Sequence, residues 1–392
     1  MTTSTLKREL GLSGAIVTGL GSILGTGAFV SIGLASGMWG DAVIWAIPLA
    51  ALVAVFNGLS SAFLAGQFPV AGGTYEYGYR TINAWFGFTA GWLFLLAKTA
   101  SAASAALGVA LYLGSDSLLV PLAAVAAVTL LVAAGIRRTA ATNAVLITLT
   151  ITAITWFAVS GITESDSGGA INATSATTGV LPAIAFLFVA YTGYGRIATL
   201  GEEVKRPGET IPRAVVITLV VAAVLYMAIE LGGRAMAGPE WGLALQMGLI
   251  DMPLVTIGAV TAMLGVLLNL LLGLSRVWLA MGRRRDMPAR LAKLGRTTQP
   301  TSAILISGLA IAAVTLVDDI SLAWSFSAMT VLLYYGITNL AALSIDRRRT
   351  TAWAGLGSCL FLSFFVPPDI WLIGLALIAA GLLWKTGYSA VR

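Results

Sequence analysis

Long apolar runs separated by short polar segments fill the 392-residue chain. An α-helix rises about 1.5 Å per residue, so about 20 apolar residues cross a bilayer. Twelve stretches read as such spans, at approximately 12–37, 41–65, 84–113, 117–136, 141–161, 180–203, 212–235, 253–281, 301–317, 320–343, 353–366 and 369–385. The eleventh is short. The first is read as a span and not a cleavable leader, because its apolar run is too long for one. The pattern predicts an all-α integral membrane protein with about twelve transmembrane helices.

Composition agrees with the pattern. Charged residues make up 10 % of the chain, against roughly 25 % in a soluble domain. Disorder is excluded by the high apolar content. There is no His and one Cys, which removes His triads, His metal sites, Cys-rich zinc sites and intrachain disulfides. A membrane-embedded enzyme needs a deep cluster of acids, His or Cys, and Glu230, near the end of a span, is the only deep acid. The loops between spans are too short for an ATP-hydrolysing domain. No cofactor and no resident metal is expected.

The placement of charge orients the chain. With the N-terminus in the cytoplasm, 19 of the 23 Lys and Arg residues fall in inner segments. This obeys the positive-inside rule and suits an even span count, with both termini cytoplasmic in the cell membrane. The net charge of +6 then reflects topology, and nucleic acid is a poor candidate partner.

The longest polar segment, 162–179, divides the first ten spans into two groups of five. Five is odd, so the second group lies inverted relative to the first. The first group covers 1–161, the second 180–343, and two accessory spans occupy 344–392. Each group carries a Gly-x-Gly about 14 residues into its first span, Gly25-Thr26-Gly27 and Gly193-Tyr194-Gly195. Glycine weakens a helix interior. Matched interruptions in two halves point to broken helices around a midplane site, although a lone glycine often marks only a close helix contact.

A broken helix supplies two kinds of binding group. Freed N–H groups at Gly25, Thr26 and Gly27, with the positive end of the following half-helix, suit a carboxylate. Freed carbonyls at Ile23 and Leu24 suit an ammonium, and the sixth span adds carbonyls from Val189 to Thr192, including Ala190, ahead of Gly193. An α-amino acid carries one group of each kind.

Several motifs then resemble one known group. Gly21-Ser22-Ile23-Leu24-Gly25-Thr26-Gly27-Ala28-Phe29 resembles the first-helix signature of the amino acid–polyamine–organocation (APC) superfamily. Phe68-Pro69-Val70-Ala71-Gly72-Gly73-Thr74-Tyr75 resembles its loop after the second span, with Gly91-Trp92 following in the third. Phe188 to Gly193 resembles its sixth-helix break. Glu202-Glu203 to Pro207, Ile211 to Ala214, Ser275-Arg276 and Met281 to Pro288 resemble its later motifs. The resemblance implies a LeuT-type fold of five plus five spans and alternating-access transport of amino acids or related amines. By position it places a substrate carboxylate on the amides of Gly25, Thr26 and Gly27, and the amino group on the carbonyls of Ile23, Leu24, Val189, Ala190 and Thr192. Many relatives have an aromatic residue at the place of Val189.

Lys98 stands near the middle of the third span. A central Lys costs about 2.5–3.5 kcal/mol on insertion scales, so it faces the bundle interior and marks function by default. Proton coupling, gating and contact with a substrate side chain are the open roles, and a structural Lys held by groups such as Ser101 is the plain one. Some proton-coupled relatives carry a Lys in the fifth span, which here reads Thr148 to Thr152 without one. Arg196 lies just past the sixth-span break, and with Glu202 and Glu203 it is a candidate inner gate. Glu230 and Arg234 are spaced four apart, a favourable helix pair near the outer end of the seventh span.

The predicted function is secondary active transport of amino acids or amines, coupled to protons or to exchange. Sodium-coupled transport, with carbonyls of the first span and the hydroxyl of Ser275, or uniport is the alternative. A channel or a transporter-like sensor is the reading from another class. The absence of a fixed acid at pocket depth leans toward neutral substrates, whereas Lys98 facing the pocket favours an acidic one.

Overall fold

The computed structural model describes residues 10–68, 72–135, 140–164, 179–198, 204–238, 241–242, 252–295 and 299–390. The described chain is helical, apart from an isolated bridge between Leu10 and Val204. The first half contains α1 (Leu12–Ile23), α2 (Gly27–Trp39), α3 (Ala42–Gln67), α4 (Thr74–Thr81), α5 (Ala84–Tyr112), α6 (Leu119–Ala133) and α7 (Ala140–Glu164). The second contains α8 (Val180–Tyr191), α9 (Gly195–Ala198), α10 (Pro207–Ala237), α11 (Pro253–Arg283), α12 (Thr301–Thr315) and α13 (Ile320–Ile345), followed by α14 (Thr350–Ser363) and α15 (Pro368–Ala390).

Among the described residues, eight helical stretches are long and apolar enough to cross a membrane, and the bent pair α1–α2 makes up to nine. The chain is thus a multi-pass membrane protein. Three of the expected spans form shorter helices: α6 and α12 have 15 residues and α14 has 14. Fifteen residues reach about 22 Å, short of a hydrocarbon core of about 30 Å. Polar or helix-ending residues trim them. Gly135 at the end of α6 adopts a positive φ of 85°, and Pro300 immediately precedes α12.

Burial ranks the helices. Within the most apolar 18-residue windows, 83 % of α5 and 72 % of α13 is buried, against 22 % of α15. The reason is local. Residues 97–110 of α5 are mostly Ala, Ser and Gly, and small side chains let neighbouring helices approach closely where no water drives packing. The Gly161–Gly232 contact between α7 and α10 is an extreme case, since a Cβ on Gly161 would lie 2.2 Å from the Gly232 carbonyl oxygen.

Between the second and third expected spans, past the loop motif of Phe68–Tyr75, the structure forms the short helix α4. Gly72 and Gly73 enter it at φ of 119° and 56°, which side chains rarely tolerate. That backbone requirement accounts for the paired glycines of the motif. The helix is anchored from outside itself. Arg284 Nε and Nη2 donate to the two Glu76 oxygens at 3.0 and 2.6 Å. The Tyr75 and Tyr79 hydroxyls donate to Asp286 Oδ2 at 2.7 and 2.5 Å. Burial, and then the bond to Asp286, hold both phenols above the usual tyrosine range.

The Glu230–Arg234 pair gains members that spacing alone did not reveal. Glu230 is fully buried. Its Oε1 accepts from Arg234 Nε at 2.7 Å and from Ser36 Oγ at 3.3 Å, and its Oε2 accepts from Trp241 Nε1 at 3.0 Å. Arg234 also pairs with Asp41, at the start of α3. The helix pair read from the spacing is thus part of a buried network joining α2, α3 and α10.

Candidate functional site

The two glycine interruptions meet. α1 ends at Leu24, whose backbone is extended (φ −78°, ψ 94°), and α2 leaves at 46° to α1 through a π-helical turn, Gly27–Ser31. The sixth span behaves differently. α8 tightens into a 3₁₀ turn, Thr192–Tyr194, and resumes as α9 without an extended residue. The expected second break is therefore a tightening, in which Thr192 N–H bonds to the Val189 carbonyl. Gly193 sits against the first break: a Cβ there would lie 2.3 Å from the Ser22 carbonyl oxygen. A Cβ on Gly27 would lie 2.7 Å from the Tyr226 hydroxyl and 3.0 Å from the Ala190 Cβ. The matched glycines let the two elements touch.

Donors and acceptors at this junction are unequal. Gly25 O accepts from both Ala28 N and Phe29 N at 3.0 Å. Among the described residues, the amides of Gly25, Thr26 and Gly27 have no backbone acceptor. The Thr26 hydroxyl is buried without a hydrogen-bond partner. These are free donors. The acceptors are mostly occupied. The Tyr226 hydroxyl lies 3.1 Å from Ile23 O and 3.0 Å from Ala190 O. The Thr192 hydroxyl donates to Val189 O at 2.8 Å, and the Tyr335 hydroxyl donates to Thr192 O at 3.4 Å. Of the five carbonyls suggested by the sequence, only Leu24 O lacks a recorded partner among the described residues.

Lys98 comes to the same place. It is 9 % exposed, and its Nζ donates to Thr192 Oγ1 at 3.1 Å. Ser101, expected as its neighbour, is instead 2.7 Å from the Ser327 hydroxyl on α13. The other suggested residues are less central. Arg196 is half-buried in α9. Glu202 and Glu203 lie outside the described residues. Ser275 Oγ bonds back to Leu272 O at 2.9 Å. The α11 residues facing the break are Ala262 and Val266, both within reach of a Cβ on Gly25. Ser275 lies nine residues beyond Val266, about 13 Å along the helix. Among the described residues no group of three His, Cys, Asp or Glu side chains gathers to hold a metal.

Tyr226 and Tyr335 were missed at the sequence level. The available signal was a tyrosine within an apolar run, since a buried phenol needs a partner and freed carbonyls are the acceptors at that depth. Tyr191, whose ring centroid lies 5.0 Å from that of Tyr226, closes the same corner.

Known proteins are similar to this chain over about three quarters or more of its length. An uncharacterized transporter of Mycobacterium tuberculosis is 36 % identical over 396 aligned positions, covering 96 % of this chain and 90 % of its own. The branched-chain amino acid permease BcaP of Bacillus subtilis is 27 % identical, covering 74 % of this chain and 70 % of its own. The methylthioribose transporter of the same organism is 24 % identical, covering 98 % and 94 %. Residues 14–383 match the family described as amino acid permease, and with that match spanning the helices and junction above, the chain belongs to the amino acid permease family.

Proposed function

We propose that this protein is a secondary active transporter that moves amino acids or related amines across the cell membrane by alternating access. Twelve spans form a LeuT-like fold: a first repeat over 1–161, an outer loop over 162–179, an inverted second repeat over 180–343, and accessory spans over 344–392. Both termini are cytoplasmic. The contact between Gly193 and the first-span break carries this reading, because it puts groups from equivalent places of both halves around one point. The substrate carboxylate binds the free amides of Gly25, Thr26 and Gly27, with Val189, Ala190, Thr192 and Gly193 forming the facing wall. The ammonium takes Leu24 O, and reaches Ile23 O or Ala190 O once the Tyr226 hydroxyl gives way. Arg196, Glu202 and Glu203 form the inner gate. Transport is coupled to protons or proceeds by exchange, and Lys98 acts at this junction in coupling, in gating or in contact with the substrate side chain.

The test is uptake of labelled amino acids into proteoliposomes under an imposed proton gradient or with unlabelled amino acid inside. Uphill accumulation or exchange is expected. Purely downhill flux supports a uniporter or channel, and dependence on sodium alone removes proton coupling. Thr26→Val, which keeps the side-chain volume and removes only the unpartnered hydroxyl, weakens uptake if the junction is the site and leaves it unchanged if it is not.

A further inference from the structure

The balance of hydrogen-bonding groups at the junction narrows the substrate. Any α-amino acid needs free donors for its carboxylate and a free acceptor for its ammonium, and an acidic side chain needs further donors. Here the donors are free and most acceptors are engaged. The unengaged donors are the amides of Gly25, Thr26 and Gly27 and the Thr26 hydroxyl. Tyr226 and the residues of the 3₁₀ turn take up the carbonyls of Ile23, Ala190 and Val189.

Lys98 adds a positive charge to this donor-rich surface. An ammonium has three N–H donors, and one is used, on Thr192 Oγ1. That oxygen is available because the Thr192 proton points to Val189 O. Among the described residues, Lys98 takes part in no ion pair. The described acids that do pair lie elsewhere: Glu76 with Arg80 and Arg284, Asp286 with Lys385, and Asp41 and Glu230 with Arg234. Buried charges are normally paired, because leaving one unpaired in an apolar medium is costly. Lys98 is thus a cation in need of an anion, set against the residue that opens the 3₁₀ turn of the sixth span.

We propose that the transported substrate is an amino acid with an acidic side chain, whose backbone carboxylate docks on the Gly25–Gly27 amides and whose side-chain carboxylate pairs with Lys98. This rests on the junction being the transport site. The ammonium is left with Leu24 O. Lys98 then sets specificity, since a neutral side chain of the same size leaves the buried charge unmet and a cationic one adds repulsion.

The experiment is thermal stabilisation of the purified full-length protein in detergent, titrated with L-glutamate, L-aspartate, L-glutamine, L-leucine and L-lysine at constant pH and ionic strength. A ligand that binds only the native state raises the midpoint by mass action. Glutamate or aspartate should stabilise at concentrations at least about tenfold lower than glutamine, the uncharged isostere. Lys98→Met should abolish that preference and Lys98→Arg should retain it. If Lys98→Met does not fold, the wild-type glutamate-to-glutamine ratio and the Lys98→Arg variant decide alone. A glutamate preference absent from the wild type and appearing only in the double variant Glu202→Gln/Glu203→Gln would assign the counterion of Lys98 to those acids and overturn the proposal. Stronger stabilisation by leucine, glutamine or lysine, weakened by Thr26→Val, overturns the acidic substrate while the site stands. Absence of any shift, or shifts untouched by Thr26→Val, removes the site itself and the proposal with it.

Discussion

At the scale of single residues, Thr26 and Tyr226 make opposite predictions from the same rule. A buried polar atom without a partner costs free energy, and removing it by an apolar side chain of similar shape is neutral or stabilising. Thr26→Val should therefore leave the melting temperature of the purified protein unchanged or slightly raised, even as uptake falls. Tyr226→Phe does the reverse, because the phenol serves two buried carbonyls, Ile23 O and Ala190 O. Losing it should destabilise the fold by about 1–3 kcal/mol, read as a lower thermal midpoint. Lys98 was legible as an intramembrane charge from its position alone. Its partner was not, since Thr192 stands 94 positions away and one apolar helix does not reveal which face meets which neighbour.

At the scale of elements, buried charges and tyrosines tie helices together. Arg234 joins Asp41 at the head of α3 to Glu230 in α10. Removing one member of such a set leaves the others uncompensated, at about 3–5 kcal/mol. Arg234→Met should lower the thermal midpoint much more than Glu230→Gln, which keeps hydrogen-bonding atoms for Trp241 and Ser36. The Glu230–Arg234 spacing was visible in the sequence, but Asp41, 193 residues from Arg234, was not. On α4, Tyr75 and Tyr79 donate to Asp286 only while protonated. Their folded-state values lie above the unfolded value of about 10. The stabilisation is therefore complete below about pH 10 and declines as pH rises beyond it. Thermal midpoints followed from about pH 8 to about pH 11 should fall less steeply in Tyr79→Phe than in the wild type. Equal slopes would remove the pair from that decline.

At the scale of the whole molecule, the distribution of basic residues predicts an orientation that labelling can test. The sole cysteine, Cys359, is buried, so Cys359→Ser is a clean background for placing single cysteines. Ser117, between α5 and α6, and Arg348, between α13 and α14, are both exposed. In intact cells, a membrane-impermeant thiol reagent should label Ser117→Cys and not Arg348→Cys, with both labelled after lysis. The opposite pattern would invert the orientation read from the basic residues.

What the sequence determined by itself is what short range controls. Hydrophobic run length set the helices, the distribution of Lys and Arg set the expected orientation, and glycine at 25 and 27 marked where amides would lose their partners, because a helical hydrogen bond spans only four residues. The sequence also placed a charge in the bilayer at Lys98. The tertiary structure alone decided which freed groups remain free. The carbonyl of Ile23 is taken by a hydroxyl 203 residues away and that of Thr192 by one 143 residues away. Such pairings depend on how apolar helices with nearly uniform faces rotate and slide against one another. Small side chains set that packing through contacts that no local pattern records, and it turned an expected balanced pocket into a donor-rich one.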